Sequence, residues 1–326
     1  MNKINWGIIG CGDVTELKSG PAFNKVKNSE LVAVMRRDAA KAKDYALRHH
    51  VPKWYADANE LINDPAVNAI YIATPPSSHE AYTIAALQAG KPVYVEKPMT
   101  VNAASATNMM KAVAEKNGKL SVAHYRRAQP LFKKIKQLVL DKAIGDIRFA
   151  RLALCKRSLT KEELSIEKTA WRVDPAFAGG GLFNDLSPHQ LDLMYYFFGE
   201  VDKASGIANN QAGLYAADDM VTGNILFKNG VQFSGVWCFN VGGPDEKDYC
   251  EIVGDKGTIC FSFFEHKPVS ISINGKTENL SFDPLQHVQQ PMIEQVVNYF
   301  LDEGPNPCSA TEGVEVMKLI DQFTMK

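Results

Sequence analysis

Apolar residues fall in short runs along the first part of the chain, and each run gives way to a polar or helix-periodic stretch. INWGII (4–9), LVAVM (31–35), AIYIAT (69–74), PVYVEK (92–97) and KLSVAHY (119–125) read as five strands. The polar stretch 13–30 between the first two reads as a helix. HEAYTIAALQAG (79–90) carries apolar residues at helix spacing and closes on Gly90; AASATNMMKAVAEKN (103–117) does the same and closes on Gly118. Glycine is favoured just past a helix end because it accepts left-handed backbone. Short apolar strands alternating with helices predict right-handed βαβ units and a parallel sheet.

Past residue 124 the period changes. A helix is predicted over 130–142, with Pro130 at its start, and then longer segments alternate with period two: 147–157, 222–229, 231–240, 249–255 and 257–264. KNG at 228–230 and GDKG at 254–257 are hairpin signals, so these strands predict an antiparallel sheet. Two further helices are predicted over 290–302 and 311–325. The expected division is an α/β domain over 1–124 and an α+β domain over 125–326.

A length of 326 residues agrees with two domains at about 100–200 residues each. The chain is 45% hydrophobic and 22% charged, values of a globular protein able to bury a large core. Its 36 basic and 37 acidic residues leave a net charge of −1, which argues against nucleic acid or an anionic membrane as partner. No stretch approaches about 18 uninterrupted apolar residues, and a strand begins too early to leave room for a signal peptide. Cysteines stand at 11, 155, 238, 250, 260 and 308 without a CxxC pair, as expected of reduced thiols in a cytoplasmic protein.

The first strand runs into Gly10-Cys11-Gly12-Asp13-Val14-Thr15. A tight turn at the first glycine, close backbone approach at the second and a helix start beyond are what a pyrophosphate needs. At the opening of a βαβ series this predicts a Rossmann-type dinucleotide site, although Thr15 stands where a third glycine or alanine is usual. The second strand ends in Arg36-Arg37-Asp38. A carboxylate there bonds a ribose 2′-hydroxyl, whereas a guanidinium pairs with a 2′-phosphate, so the arginines favour NADP, with NAD possible.

GGGLFNDLSPHQLD (179–192) places Asp185, His189 and Asp192 at i, i+4 and i+7, one face of a helix. Such a face is a metal site, an acid/base pair or a solvated stripe. No second His or Cys stands nearby at ligand spacing, so no metal is expected.

TPPSSH (74–79), EKP (96–98), WR (171–172) and D-x-x-x-H (185–189) now stand in order behind the glycine loop. Together they resemble the Gfo/Idh/MocA family, named for glucose–fructose oxidoreductase and inositol dehydrogenase, over nearly the whole chain. The resemblance implies an N-terminal Rossmann domain, a C-terminal domain with a large open antiparallel sheet, and NAD(P)-dependent oxidation of sugar or cyclitol hydroxyls or reduction of the ketones. By the same likeness Lys97 lies at the nicotinamide beside the reacting oxygen, and Glu96 lines the cofactor site. Thr74, Pro75 and His79 form the loop over adenosine and pyrophosphate, while Trp171 and Arg172 close over the cofactor. Asp185 and His189 match the active-site acid and the proton-transfer histidine. Two residues depart from the pattern: Tyr125 stands where many relatives carry Asn, and Arg36 replaces a small or acidic residue.

The chemistry is sound on its own terms. Hydride transfer at C–OH needs a proton-transfer group and a cation for developing alkoxide charge. Lys97 suits the second role and His189, with an ordinary pKa near 6.5, the first. Asp185 is placed to orient the imidazole or bond a substrate hydroxyl, and Asp192 drops out of the catalytic set. The three glycines read as a flexible approach to the helix. Tyr125 and Arg126 are the expected substrate contacts, and the alternating strands predict a homodimer or homotetramer through the second sheet. Two alternatives stay open: a glycosidase using transient redox on bound NAD, and a non-catalytic cofactor sensor.

Overall fold

Six parallel strands open the structure, a computed structural model that describes residues 2–325 (the side chains of 167 and 168 excepted). They are β1 (Ile4–Ile9), β2 (Ser29–Met35), β3 (Lys53–Tyr55), β4 (Ala69–Ile72), β5 (Val93–Val95) and β6 (Leu120–Val122), in the order β3-β2-β1-β4-β5-β6. The order reverses between β1 and β4, the position where doubly wound sheets open a ligand crevice. Every residue of β4 and β5 is buried. Both faces of these strands are covered by helices, hence the continuous apolar runs.

The predicted helix over 13–30 is two short ones, α1 (Asp13–Leu17) and α2 (Gly20–Phe23). Pro21, which cannot continue α1, sits in the first turn of α2. Between β2 and β4 lie α3 (Ala39–Arg48), β3 and α4 (Ala58–Asn63). None of these three is among the predicted elements; β3 is only three residues long and largely exposed. α5 (His79–Gln88) and α6 (Ala103–Glu115) follow as expected, α6 capped by the Asn102 side chain. Strands β4, β5 and β6 are shorter than their apolar runs, which leaves Thr74 and Lys97 in the loops beyond their carboxyl ends and Tyr125 at the start of a 3₁₀ turn (Tyr125–Ala128).

By internal contacts the chain divides into two units: residues up to 129 together with 285–317, and 130–284 together with the residues from 318 onward. The first therefore ends later than 124 and takes back part of the C-terminal region. α12 (Gln290–Phe300) packs Phe300 against Trp6, their ring centroids 5.6 Å apart, and the backbone N–H of Val122 donates to Cys308 O. α12 buries an apolar face that the first sheet needs covered, so it belongs to that sheet and not to the domain that precedes it in sequence.

The second unit holds α7 (Pro130–Leu140), β7 (Ile147–Arg157), the short helices α8 (Lys161–Ser165), α9 (Glu167–Ala170) and α10 (Pro175–Ala178), and the long α11 (Leu182–Phe198). Its sheet continues with β8 (Val201–Asn209), β9 (Met220–Phe227), β10 (Gln232–Val241), β11 (Lys247–Gly254), β12 (Gly257–Phe261), β13 (Val269–Ile273) and β14 (Lys276–Leu280). The order is β14-β13-β12-β11-β7-β10-β9-β8, antiparallel except that β7 and β10 run parallel. The two predicted hairpins join β9 to β10 and β11 to β12. β8 and β14 escape the pattern because polar residues and Gly206 break their alternation, whereas β13 (VSISI) does alternate but is only five residues long. On the inner face Phe183, Phe233 and Phe323 surround Trp237; Phe323 comes from the last helix, α13 (Ala310–Thr324).

All six cysteines are free thiols. Among the described residues no helix is long and apolar enough to cross a membrane.

Candidate active site

In the first unit the glycine loop leaves β1 with Gly10 at φ +94°, a conformation that L side chains rarely adopt. A Cβ on Gly10 would also lie 2.9 Å from the backbone of Ala73 and Thr74. At Gly12 the reverse holds: a Cβ would meet nothing closer than Gly10 O at 3.9 Å, so the backbone there is open to an approaching group. Gly12 is also the N-cap of α1, whose first residues are Asp13, exposed, and Val14, half-buried. Thr15, the departure from the glycine pattern, is fully buried; its hydroxyl donates to Gly12 O at 2.7 Å and its carbonyl accepts from Tyr45 OH at 2.8 Å. The threonine thus ties the loop to α1 and α3 where a glycine would only allow close packing.

At the end of β2, Arg36 is half-buried and its Nη1 donates to Cys11 O at 3.4 Å, against the glycine loop. Arg37 is exposed. Asp38 turns to its own helix: as N-cap of α3 its carboxylate accepts from Lys41 N at 3.1 Å, and this bond holds its pKa below the ordinary value. The acid at the strand end is therefore committed to capping, and the guanidinium is the charged group facing the loop.

After β4, Thr74 and Pro75 are half-buried, and Ser78 Oγ donates to Thr74 Oγ1 at 2.7 Å. His79 is fully buried, with Nε2 2.8 Å from Thr74 O and Nδ1 3.2 Å from both Pro98 O and Met99 O. Burial holds its pKa below the ordinary histidine value although carbonyls ring it. It clips the loop after β4 to the loop after β5. Glu96 is also buried: Oε1 accepts from Tyr71 OH and from Gln289 Nε2, each at 2.5 Å, and Oε2 accepts from Lys97 N at 3.1 Å. Tyr71 OH lies 3.1 Å from Ser19 Oγ, beside α1. Glu96 thus fixes the backbone of Lys97, whose side chain is half-buried. The Lys97–Pro98 bond is cis. Past β6, Tyr125 is buried and the Arg126 guanidinium lies 5.6 Å from its ring centroid, whereas Arg127 is drawn inward to Glu312.

In the second unit, Trp171 and Arg172 stand in one turn of 3₁₀ helix. The Arg172 guanidinium lies 4.7 Å from the Trp171 ring centroid, and its Nε is 3.2 Å from Asp185 Oδ2. Asp185 is in the first turn of α11. His189 is 4% exposed, its ring 5.9 Å from that of Phe264, and Asp192 is 1% exposed. The GGG stretch is not a flexible approach. Gly179 caps α10 at φ +79°, a Cβ on Gly180 would fall 2.2 Å from Asn184 Oδ1, and one on Gly181 2.7 Å from Ala217 Cβ. A left-handed turn at Gly179 and close packing at Gly180 and Gly181, not mobility, account for these glycines.

The predicted residues thus gather as two groups, one in each unit. Tyr71, Tyr45 and Gln289 support the first group without being foreseen, since no local pattern marks a tyrosine hydroxyl or a glutamine nearly two hundred residues away.

Residues 4–124 match the family described as "Oxidoreductase family, NAD-binding Rossmann fold", and residues 132–260 match the GFO/IDH/MocA C-terminal domain. The chain belongs to the Gfo/Idh/MocA family. It is 46% identical over 324 residues to Oxidoreductase P35 of Formosa agariphila, covering 99% of this chain and 98% of that one. It is 28% identical over 292 residues to trans-1,2-dihydrobenzene-1,2-diol dehydrogenase of Xenopus laevis, covering 88% and 83%. Levoglucosan dehydrogenase in complex with NADH has the same fold, at a TM-score of 0.89, 21% identity and coverage of 98% and 96%. As a Gfo/Idh/MocA protein the chain is an oxidoreductase of the dehydrogenase/reductase type, with an NAD(P)-binding Rossmann domain. The open backbone at Gly12 and the left-handed turn at Gly10 fit such a dinucleotide.

Proposed function

We propose that this oxidoreductase transfers hydride between NADP and a hydroxyl or ketone carbon of a sugar, cyclitol or related polyol, with Lys97 and His189 acting at the reacting oxygen. The observation that carries the reading is the fixing of Lys97 just past the carboxyl end of β5, through its backbone bond to the buried Glu96. Bound nicotinamide supplies the hydride acceptor or donor. The Lys97 ammonium stabilises charge developing on the substrate oxygen, a role that oriented cations fill in water-poor sites. His189 takes the hydroxyl proton on oxidation and returns it on reduction. Asp185, held by Arg172, orients substrate or imidazole, and Tyr125 and Arg126 contact the substrate.

The preference for NADP is supported by Arg36 against the glycine loop and by the commitment of Asp38 to α3. Thr74, Pro75 and His79 form or support the loop over the cofactor, Arg37 is a second cation for the 2′-phosphate, and Trp171 with Arg172 closes over the dinucleotide. The diol named for the 28% identical relative supports a vicinal hydroxyl as substrate. Phe149, Val236 and Ile207, exposed on strands of the second sheet, support a homodimer or homotetramer through that face. Six free thiols support a reducing, cytoplasmic setting.

The test is a screen of NADPH and NADH absorbance against sugars, cyclitols and diketones, followed by Lys97→Ala and His189→Ala. Each variant is expected to lose about 10²–10⁴-fold in kcat while still binding cofactor. Near-normal kcat in either would remove the assigned role, and aryl-glycoside cleavage without net NADPH consumption would replace the reaction by a glycosidase one.

A further inference from the structure

α11 has a second polar face. Successive helical residues turn by about 100°, so Asp185, His189 and Asp192 share one side, while Ser187 and Gln190 face away from it and Asn184 lies on the flank between. All three of the latter are at least 95% buried. Gln190 Oε1 accepts from Trp237 Nε1 at 2.6 Å, yet Gln190 Nε2 and Ser187 Oγ have no hydrogen-bond partner among the described residues. The Asn184 amide makes no hydrogen bond there either; it rests against Gly180. A fully enclosed amide without a partner, such as Gln190 Nε2, costs about 1–3 kcal/mol, but neither Ser187 nor Gln190 lines the cavity beside Asn184.

Asn184 lines a cavity of about 220 Å³ together with Gly181, Phe183, Ala217, Asp218 and Val221. The cavity lies at the amino end of α11, a helix of 17 residues whose N-cap Gly181 supplies no side-chain acceptor for the first-turn N–H groups. Those groups and the Asn184 amide offer donors, the amide oxygen and the Asp218 carboxylate offer acceptors, and Phe183, Ala217 and Val221 give apolar walls. The carboxylate opposes an anion. The volume is below the roughly 300–1,000 Å³ that drug-sized ligands occupy.

We propose that this cavity is a binding site for a small uncharged polyol, whose hydroxyls donate to Asp218 and accept from the Asn184 amide. Its occupant would touch the flank of the helix that carries Asp185 and His189, at Asn184, and is a ligand separate from the substrate. Binding here does not depend on the reaction proposed above.

The test is calorimetric titration of the full-length protein with glycerol, erythritol and D-glucose. At least one is expected to bind saturably with a Kd of about 1 mM or tighter. Asn184→Leu removes both polar atoms of the amide. Asn184→Asp is isosteric and favoured in a first helical turn, so it guards against a failure to fold. Each is expected to weaken that Kd by about tenfold or more, the effect of one lost hydrogen bond, while Lys97→Ala leaves it unchanged. Three results would overturn the site: no saturable binding of any probe, binding untouched by both Asn184 variants, or binding abolished by Lys97→Ala. A crystal of the protein grown with the probe and showing ordered water alone in the cavity would do the same.

Discussion

Arg172 and Asp185 are partners, Nε to Oδ2 at 3.2 Å, and the same guanidinium lies over Trp171. The pair joins a residue expected at the cofactor to one expected at the substrate. Because both side chains keep some exposure, it contributes only about 0–1 kcal/mol to stability. Arg172→Ala is therefore expected to leave the melting temperature within a few degrees and to lower kcat/KM by about tenfold or more through the loss of orientation. Arg172→Lys is expected not to restore it, since an ammonium lacks the planar fork and the stacking. Thermal melts beside steady-state kinetics check this; equal losses in both would make the pair merely structural.

Cofactor choice is predicted to rest on Arg36. Arg36→Ala should raise the Kd for NADPH by about ten- to a hundredfold, the worth of a charge-assisted hydrogen bond, and move that for NADH by about twofold or less. Asp38→Ala should leave the ratio of the two unchanged and lower thermal stability, because Lys41 N loses its acceptor. Fluorescence titration with both cofactors reads the ratio directly. A fall in NADH affinity matching that in NADPH affinity would count against a 2′-phosphate contact.

Glu96 is held by neutral donors alone among the described residues. Tyr71→Phe and Gln289→Leu should each cost about 1.5–3 kcal/mol in urea denaturation, as expected for a lost bond to a charged group. Their effects should not add, since both donate to the same oxygen. Simple additivity in the double variant would show that the two bonds are independent.

Acid should weaken the fold in two stages. His79 and His124 are buried, and burial pushes both pKa values down. Once unfolded they take up protons near pH 6.5, so the unfolded state binds more protons below that point and stability falls as pH drops through the folded values. Asp64 is pushed up by burial but held at about 2 by Lys53, Ala66 N and Tyr55. Its contribution is present above about pH 4 and is lost as pH falls towards 2. Melting temperature against pH should show both limbs, with His124→Gln flattening the first and Asp64→Asn the second. A flat curve between about pH 7 and pH 5 would contradict the first stage.

Much of this architecture was legible in the residues. The continuous apolar runs of β4 and β5 report strands covered on both faces, and the period-two runs of β7 and β10 report a sheet with one buried side. Short edge strands were not legible, because β3 and β14 bury too little to carry a pattern. Lys97 and its motif stood out, yet the means of holding it did not: a Tyr71 hydroxyl and a Gln289 amide meet Glu96 only after the chain has folded. The glycines before α11 were visible as a cluster. Their reason was not, since Asn184 and Ala217 fill the space that side chains would need only in three dimensions.

The first unit is not contiguous in the chain, and synthesis makes that a matter of timing. A ribosome that has released residues up to 129 has delivered the glycine loop, the Lys97 motif and all six strands of the first sheet, but not Gln289, Phe300 or Cys308. Until these emerge, Glu96 lacks one of its donors, Trp6 is missing a neighbour and β6 a backbone partner. The dinucleotide domain is thus the first to begin folding and cannot finish before residues 130–284 of the other have been translated.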